Sequence, residues 1–253
     1  MEIRIACVDA VFSKHVLRAD PSDGRVMGAT GSGKTTFINR ASGSDFPVES
    51  GLESCTTDVG TSKPFLLDGR FVTLIDTPGF DDTVRNDTDV LTSIAAYLSN
   101  TYEQGAKLAG ILYMHRISDV RMSGTSKRNF RIFRELCGES TLSNVLIVTN
   151  MWGNVDSKIG EERERELATS DKLFKPVLEK GARLLRHDNT EASAHAILRN
   201  LINNQTATLA IQHEIVNQRK DLAQTAAGSE LTRLLKEQAQ RYDDEITELH
   251  GEL

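Results

Sequence analysis

The sequence predicts an α/β protein: a doubly wound, mostly parallel sheet with one antiparallel strand, followed by a helical C-terminal extension. Three observations carry that prediction. From Thr35 to about Gly181, short apolar runs alternate with segments of helical period. A glycine-rich stretch opens the first of those helices, over Thr35–Arg40. From Thr190 onward the strand pattern stops and apolar residues recur at seven-residue steps. A length of 253 residues, at roughly 150 per domain, fits one domain with an addition.

The elements follow in order. Phe65–Leu67 and Phe71–Ile75 flank Asp68-Gly69, a turn dipeptide that closes hairpins, so these two runs pair antiparallel. Gly110–Met114 and Val145–Val148 are unbroken apolar runs, the pattern of strands covered on both faces. Helical spacing covers Asp89–Tyr102, Ser126–Leu136 and Glu161–Lys180, the last with a break or kink at Pro176. Ala182–Leu185 is a weaker strand.

In Ala192–Gln224, Ile202, Leu209, Val216 and Ala223 stand seven apart, but Gln205, Gln212 and Arg219 interrupt the seam. A second stretch places Leu231, Leu235, Tyr242 and Leu249 at four- and seven-residue steps. Two readings stay open: a solvated helix folded back on the domain, or a coiled-coil arm that takes a partner helix. Residues 26–204 then form the domain and 205–253 the tail.

Composition excludes several classes. Hydrophobic residues make up 39% and charged residues 26%, which is neither disordered nor collagen-like. The net charge is −6, and Gln205–Leu253 holds 5 basic and 9 acidic side chains, so −4 of it lies in the tail. That balance argues against a nucleic-acid partner, which needs a basic surface. Cys7, Cys55 and Cys137 match no zinc spacing or disulfide framework, so a reducing, cytoplasmic compartment is expected. No stretch approaches the ~20 apolar residues of a transmembrane helix.

Gly28-Ala29-Thr30-Gly31-Ser32-Gly33-Lys34-Thr35 satisfies G-x-x-x-x-G-K-[ST] at every fixed position. The glycines let successive N–H groups turn inward around a phosphate, and the following helix adds the positive end of its dipole; Thr36 continues that helix start. Lys34 reaches the β- and γ-phosphates and the Thr35 hydroxyl coordinates Mg²⁺. A strand normally delivers such a loop, yet only Val26 and Met27 abut it, after the turn-like run Asp20–Arg25. The strand-like run Glu2–Phe12 ends fifteen positions before Met27. Either the first strand is very short, or residues 1–25 are misjoined to this loop; if they are native to it, the sheet lacks a central strand.

Phe71–Gly79 is an apolar strand ending in Asp76-Thr77-Pro78-Gly79. Asp76 can hold Mg²⁺ through water, and the Gly79 N–H can meet a γ-phosphate. The polar segment Gly43–Lys63 has the place of a loop that orders over triphosphate, with Thr56 or Thr57 as its closing hydroxyl. Phe80 stands where a water-orienting Gln is common, and Phe cannot orient water by hydrogen bonding. No catalytic residue is assigned.

These segments together resemble a known group, the septin-like GTPases that include plant AIG-type proteins, vertebrate immunity-associated GTPases and chloroplast-import receptor GTPases. The resemblance is nearest to fungal G-domain proteins of that type. It rests on Gly28–Asn39, Glu53–Thr56, Asp76–Asp82, His115–Gly124 and Val148–Trp152, and covers about Val26 to Asn204. It implies a Rossmann-like P-loop G domain, binding of GTP or GDP with Mg²⁺, and self-association through the G domain. It also points to Thr56, rather than Thr57, as the closing residue.

The guanine-reading N/T-K-x-D motif is altered. With Thr149 first, Asn150 is second and Trp152 replaces the Asp that accepts the two guanine N–H groups. An indole donates only; Trp152 can instead stack on a base or cap the core. By the resemblance, Asn189 is a second base contact, or else it caps the helix from Thr190. His115 is a candidate catalytic group across a dimer or an ordinary packed histidine; Arg116 and Arg121 are candidate charge-stabilising fingers or surface residues. The expected function is a regulatory or assembly switch with slow or dimer-activated GTP hydrolysis. The alternatives are a non-hydrolysing nucleotide-binding scaffold and a P-loop protein of relaxed purine specificity that uses ATP.

Overall fold

The computed structural model describes residues 2–7, 26–28, 31–47, 60–77, 79–80, 86–120 and 122–251. Ala29, Thr30, Thr56, Thr57 and Arg121 lie outside them. The strands are β1 (Glu2–Cys7), β2 (Val26–Gly28), β3 (Gly60–Thr61), β4 (Phe65–Leu67), β5 (Arg70–Asp76), β6 (Gly110–Arg116), β7 (Val145–Asn150) and β8 (Arg183–Arg186). They form one sheet in the order β1-β5-β2-β6-β7-β8, with β3 and β4 antiparallel on β5 and every other pairing parallel. Two short antiparallel strands, rather than the one expected, therefore edge the sheet. The Asp68-Gly69 turn closes β4 on β5 with both residues at positive φ, the geometry that matches strand twist. The central position is filled: β1 pairs with both β5 and β6, so the expected loss of a central strand is corrected.

The helices are α1 (Lys34–Ser42), α2 (Asp87–Glu103), α3 (Gly124–Cys137), α4 (Ser157–Thr169), α5 (Lys175–Leu178), α6 (Glu191–Leu198), α7 (Ala210–Gln212) and α8 (Ala226–Gly251). Caps place several starts. Asn86 accepts from the Asp89 N–H, Ser123 from Ser126, Asp156 from Lys158 and Ile159, and Thr190 from Ser193. The break expected at Pro176 falls earlier, at Ser170; Pro176 sits in the first turn of α5, where its missing N–H costs nothing.

Alternation along β6 and β7 explains their unbroken apolar runs. Ile111, Tyr113, Val145 and Ile147 join one core with α2, α3 and α8; Leu112, Met114, Leu146 and Val148 join the other with α1 and α6. Fully buried Phe133 on the first face and Phe37 on the second each contribute about 2–3 kcal/mol by removal from water. Cys137 is a buried thiol whose pKa burial pushes well up, which makes it unreactive.

The extension is not one heptad helix. After α6 the chain turns, bridges Leu108 through Ala207, and forms α7, which continues as a wider helical turn over His213–Asn217, and a short turn at Leu222–Gln224 before α8. Polar positions in the expected seam are the reason: Gln212 is buried with its amide donating to the Leu98 carbonyl of α2. Leu209, Ile211, Ala227, Leu231 and Leu234 belong to the same core as α2 and α3, so packing runs beyond residue 204. The first turns of α8 are folded back on α3, and Arg128 of α3 joins the Asp87 carboxylate of α2 at 2.7 Å to Gln238 of α8 at 2.6 Å. Farther along, Tyr242 and Ile246 are exposed.

Candidate functional site: a phosphate loop and its metal side

The loop and α1 are set by backbone geometry. Gly31 and Gly33 hold φ of +71° and +83°, which side-chain-bearing residues rarely adopt, and Gly33 is the N-cap of α1. A Cβ on Gly33 would lie 2.7 Å from Asn150 Nδ2, so this glycine is also required by close approach. Asn150, at the end of β7, donates through that nitrogen to the Ser32 carbonyl and fastens the loop to the sheet. Lys34 is 6% exposed, with its ammonium 3.5 Å from the Ser32 hydroxyl. Thr36 is partly buried in the first turn of α1, and Gly28 ends β2 opposite Met114.

The metal side meets the loop across 41 residues of sequence. The Thr35 hydroxyl donates to Asp76 Oδ2 at 2.7 Å. Asp76 Oδ1 is buried and accepts no hydrogen bond. Burial raises the Asp76 pKa, while the Thr35 hydroxyl and the Lys34 charge pull it back. An orphaned carboxylate oxygen beside a hydroxyl is an all-oxygen donor set that fits Mg²⁺, which takes its remaining ligands from phosphate and water. Among the described residues no group of three His, Cys, Asp or Glu side chains could hold a metal by itself. Gly79 is buried, three positions after Asp76. Phe80 is turned into the core, and its carbonyl accepts from Asn129 of α3 at 3.2 Å.

The second region lies at the ends of β7 and β8. The His187 N–H donates to the Thr149 carbonyl at 2.8 Å, joining residues 149–152 to the loop that carries Asn189. Trp152 donates through Nε1 to the Thr149 carbonyl and hydroxyl, both at 3.2 Å. The Arg186 guanidinium sits 4.2 Å from the Trp152 ring centroid and is itself held by Glu164 of α4. A Cβ on Gly160 of α4 would lie 2.8 Å from that ring. Asn189 is exposed at φ +66°; Thr190, not Asn189, caps α6.

His115 packs edge-on against Phe174, and burial lowers its pKa to about 4, so it is neutral at pH 7. Arg116 pairs with Asp119 and points one guanidinium nitrogen to within 3.4 Å of where a Gly31 Cβ would be. Sequence reasoning missed two supports: Asn129 on the Phe80 carbonyl, and Arg163, which donates to the Ile117 and Ser118 carbonyls at 3.0 Å each. Neither carries a local signal, because each acts on backbone far along the chain.

Residues 25–151 match the family model described as 50S ribosome-binding GTPase. GTP-binding protein A of Dictyostelium discoideum is 31% identical over 125 residues, covering 49% of this chain and 26% of that protein. Protein peanut of Drosophila melanogaster is 32% identical over 121 residues, covering 44% and 22%. The matched stretch is thus about a quarter of either relative's length. Among solved structures, Toc33 of Arabidopsis thaliana with Mg²⁺ and GMPPNP aligns with a TM-score of 0.53 at 17% identity, covering 77% of this chain and 84% of that one. A structure described by the importance of dimerization for the GTPase activity of atToc33 and psToc159 aligns at 0.53 and 16% identity, over 72% and 83%. These likenesses show the P-loop GTPase fold.

Proposed function

We propose, from the premise that the chain belongs to the 50S ribosome-binding GTPase family, that it is a cytoplasmic Mg²⁺-dependent GTP switch with weak intrinsic turnover. Nucleotide binding follows from the family; the finer reading rests on one observation, the Thr35 hydroxyl on Asp76 with the second Asp76 oxygen buried and unmatched.

The chain's own groups divide the work. N–H groups of residues 28–36 bind the phosphates, and buried Lys34 supplies a charge whose field the low-dielectric surroundings leave strong. Thr35 and Asp76 hold Mg²⁺, with Thr56 closing over the nucleotide and the Gly79 N–H meeting the γ-phosphate. Mg²⁺ held by Thr35 and Asp76 would supply positive charge to neutralise the phosphates. Thr149, Asn150, Trp152 and Asn189 frame the base: the Trp152 ring as a wall and the Asn189 amide as the hydrogen-bonding contact.

Phe80 is buried in the core, so the chain brings no water-orienting amide directly after Gly79. Hydrolysis is therefore slow, or completed by a second copy docked through the G domain. The same burial favours a second reading, a nucleotide-binding scaffold that does not turn over. Binding of a fluorescent GDP with Mg²⁺ and with EDTA tests the metal side: affinity should fall about tenfold or more on chelation, and equal affinities reject it. Phosphate release across a range of protein concentration separates the two readings. A rate rising faster than linearly with protein supports the dimer-activated switch; no release at any concentration leaves the scaffold.

A further inference from the structure

Cys7 and Val26 stand nineteen residues apart in the chain and at one place in the sheet. Along β5, β1 runs in register from Glu2 opposite Phe71 to Ala6 opposite Ile75, so the next position falls opposite Asp76. The residue that pairs with Asp76 is Val26. Along β6, Cys7 lies opposite Leu112, and so does Val26, after which Met27 meets Tyr113 and Gly28 meets Met114. Two neighbouring strands, one on each side, return the same offset. We infer that residues 7–25 are an insertion into a single central strand, whose continuous form is Glu2–Ala6 joined directly to Val26–Gly28, and that the chain without them is the form fully competent for nucleotide.

The sequence supports the join. Glu-Ile-Arg-Ile-Ala followed by Val-Met-Gly is one eight-residue strand running into the phosphate loop, where the full chain has only Val26 and Met27 as apolar lead-in. The family match begins at residue 25, immediately before the second half of that strand. The discontinuity is thus confined to residues 7–25, and Glu2–Ala6 belong to the fold.

The physical consequence falls on the loop. Three residues, Val26–Gly28, now fix the loop's starting point, and among the described residues their strand pairings are to β5 and β6. In a continuous strand the five pairings of β1 with β5 would brace the same residues through the backbone. Holding both ends of the insertion at one register position also has an entropic cost that the shorter chain does not carry. The insertion therefore lowers both the stability of the sheet centre and the preorganisation of the loop. Its effect on ligand rests on the phosphate-site reading proposed above; its effect on the sheet does not.

The test compares the full chain with two deletions of nineteen residues, one removing residues 7–25 and the other removing residues 2–20. Thermal unfolding without nucleotide reads the sheet, and binding of a fluorescent GDP with Mg²⁺ reads the loop. Removing 7–25 should raise Tm by about 5 °C or more and tighten GDP binding about tenfold, with slowed amide exchange at Met27 and Gly28. Removing 2–20, which takes away the paired half of the strand, should lower both. A 7–25 deletion that melts at or below the full chain overturns the inference, as does a 2–20 deletion that melts as high as the full chain. If the 7–25 deletion melts higher while no form binds GDP, the insertion stands and the phosphate-site reading fails.

Discussion

At the phosphate end of the site, Thr35 and Asp76 meet through one hydroxyl–carboxylate hydrogen bond between segments 41 residues apart, with a carboxylate oxygen left unmatched. At the proposed base end, Thr149, Trp152, Arg186 and Glu164 are bonded and stacked on one another, and their polar atoms are largely consumed within the protein. The first end holds an unmatched carboxylate oxygen; at the second the Thr149, Trp152 and Arg186 side chains answer one another and Glu164, while Asn150 Oδ1 and His187 Nε2 beside them are buried without a partner. Recognition by backbone and a buried charge needs few residue types in a fixed order. Recognition of a base by side chains can be traded for packing, and here a tryptophan stands where an acceptor is usual.

The largest effect tests the first half of that contrast. Lys34→Ala should weaken GTP and GDP alike by about a thousandfold, roughly 4 kcal/mol, because it removes a buried charge that the phosphates answer. Titration calorimetry with both nucleotides measures it. Retention within tenfold of the parent affinity would mean that the loop does not hold phosphate.

The same contrast explains what was legible in the sequence. The loop was readable because Gly31 and Gly33 are demanded by positive φ, and Gly33 also by contact with Asn150. The β6 and β7 runs were readable because both sheet faces are covered by helices. The end of α4 at Ser170 was not, since a proline marks a helix start as readily as a stop. Nor was the split strand: a missing apolar run before Val26 was visible, but only pairing to β5 and β6 shows that Glu2–Ala6 supply it. In the tail, seven-residue spacing suggested a seam where Gln212 is instead drawn inward to bond Leu98.

Trp152→Ala sharpens the second half. Losing a ring packed between Arg186 and α4 should lower stability by about 3 kcal/mol, read as a shift in the urea midpoint. GTP and ATP affinities should fall together, because a ring wall is indifferent to which purine lies on it. A selective loss of GTP would show that Trp152 discriminates the base, and the contrast between the two ends would collapse.

The two ends touch at Gly33 and Asn150, which makes their coupling measurable. Gly33→Ala places a methyl 2.7 Å from Asn150 Nδ2 at a φ of +83°, and should weaken nucleotide about thirtyfold, roughly 2 kcal/mol. Asn150→Ala opens that space, so the double variant should bind better than the sum of the single losses predicts, with the backbone strain still present. Strict additivity would mean that the Asn150 clamp and the loop act independently.

The smallest effect belongs to Asn189, where the base end keeps a free amide. Its φ of +66° suits glycine as well as asparagine, so Asn189→Gly removes the side chain without disturbing the turn, and Thr190 still caps α6. Stability should be unchanged. Affinity for GTP should fall five- to tenfold, about 1 kcal/mol, while ATP is unaffected, because one hydrogen bond to a purine edge is what the amide can offer. Competition of GTP and ATP against one fluorescent nucleotide reads the ratio directly. An unchanged ratio would leave the base end with no side chain that tells the purines apart, and the selectivity of the site would have to come from backbone groups between Thr149 and Asn189.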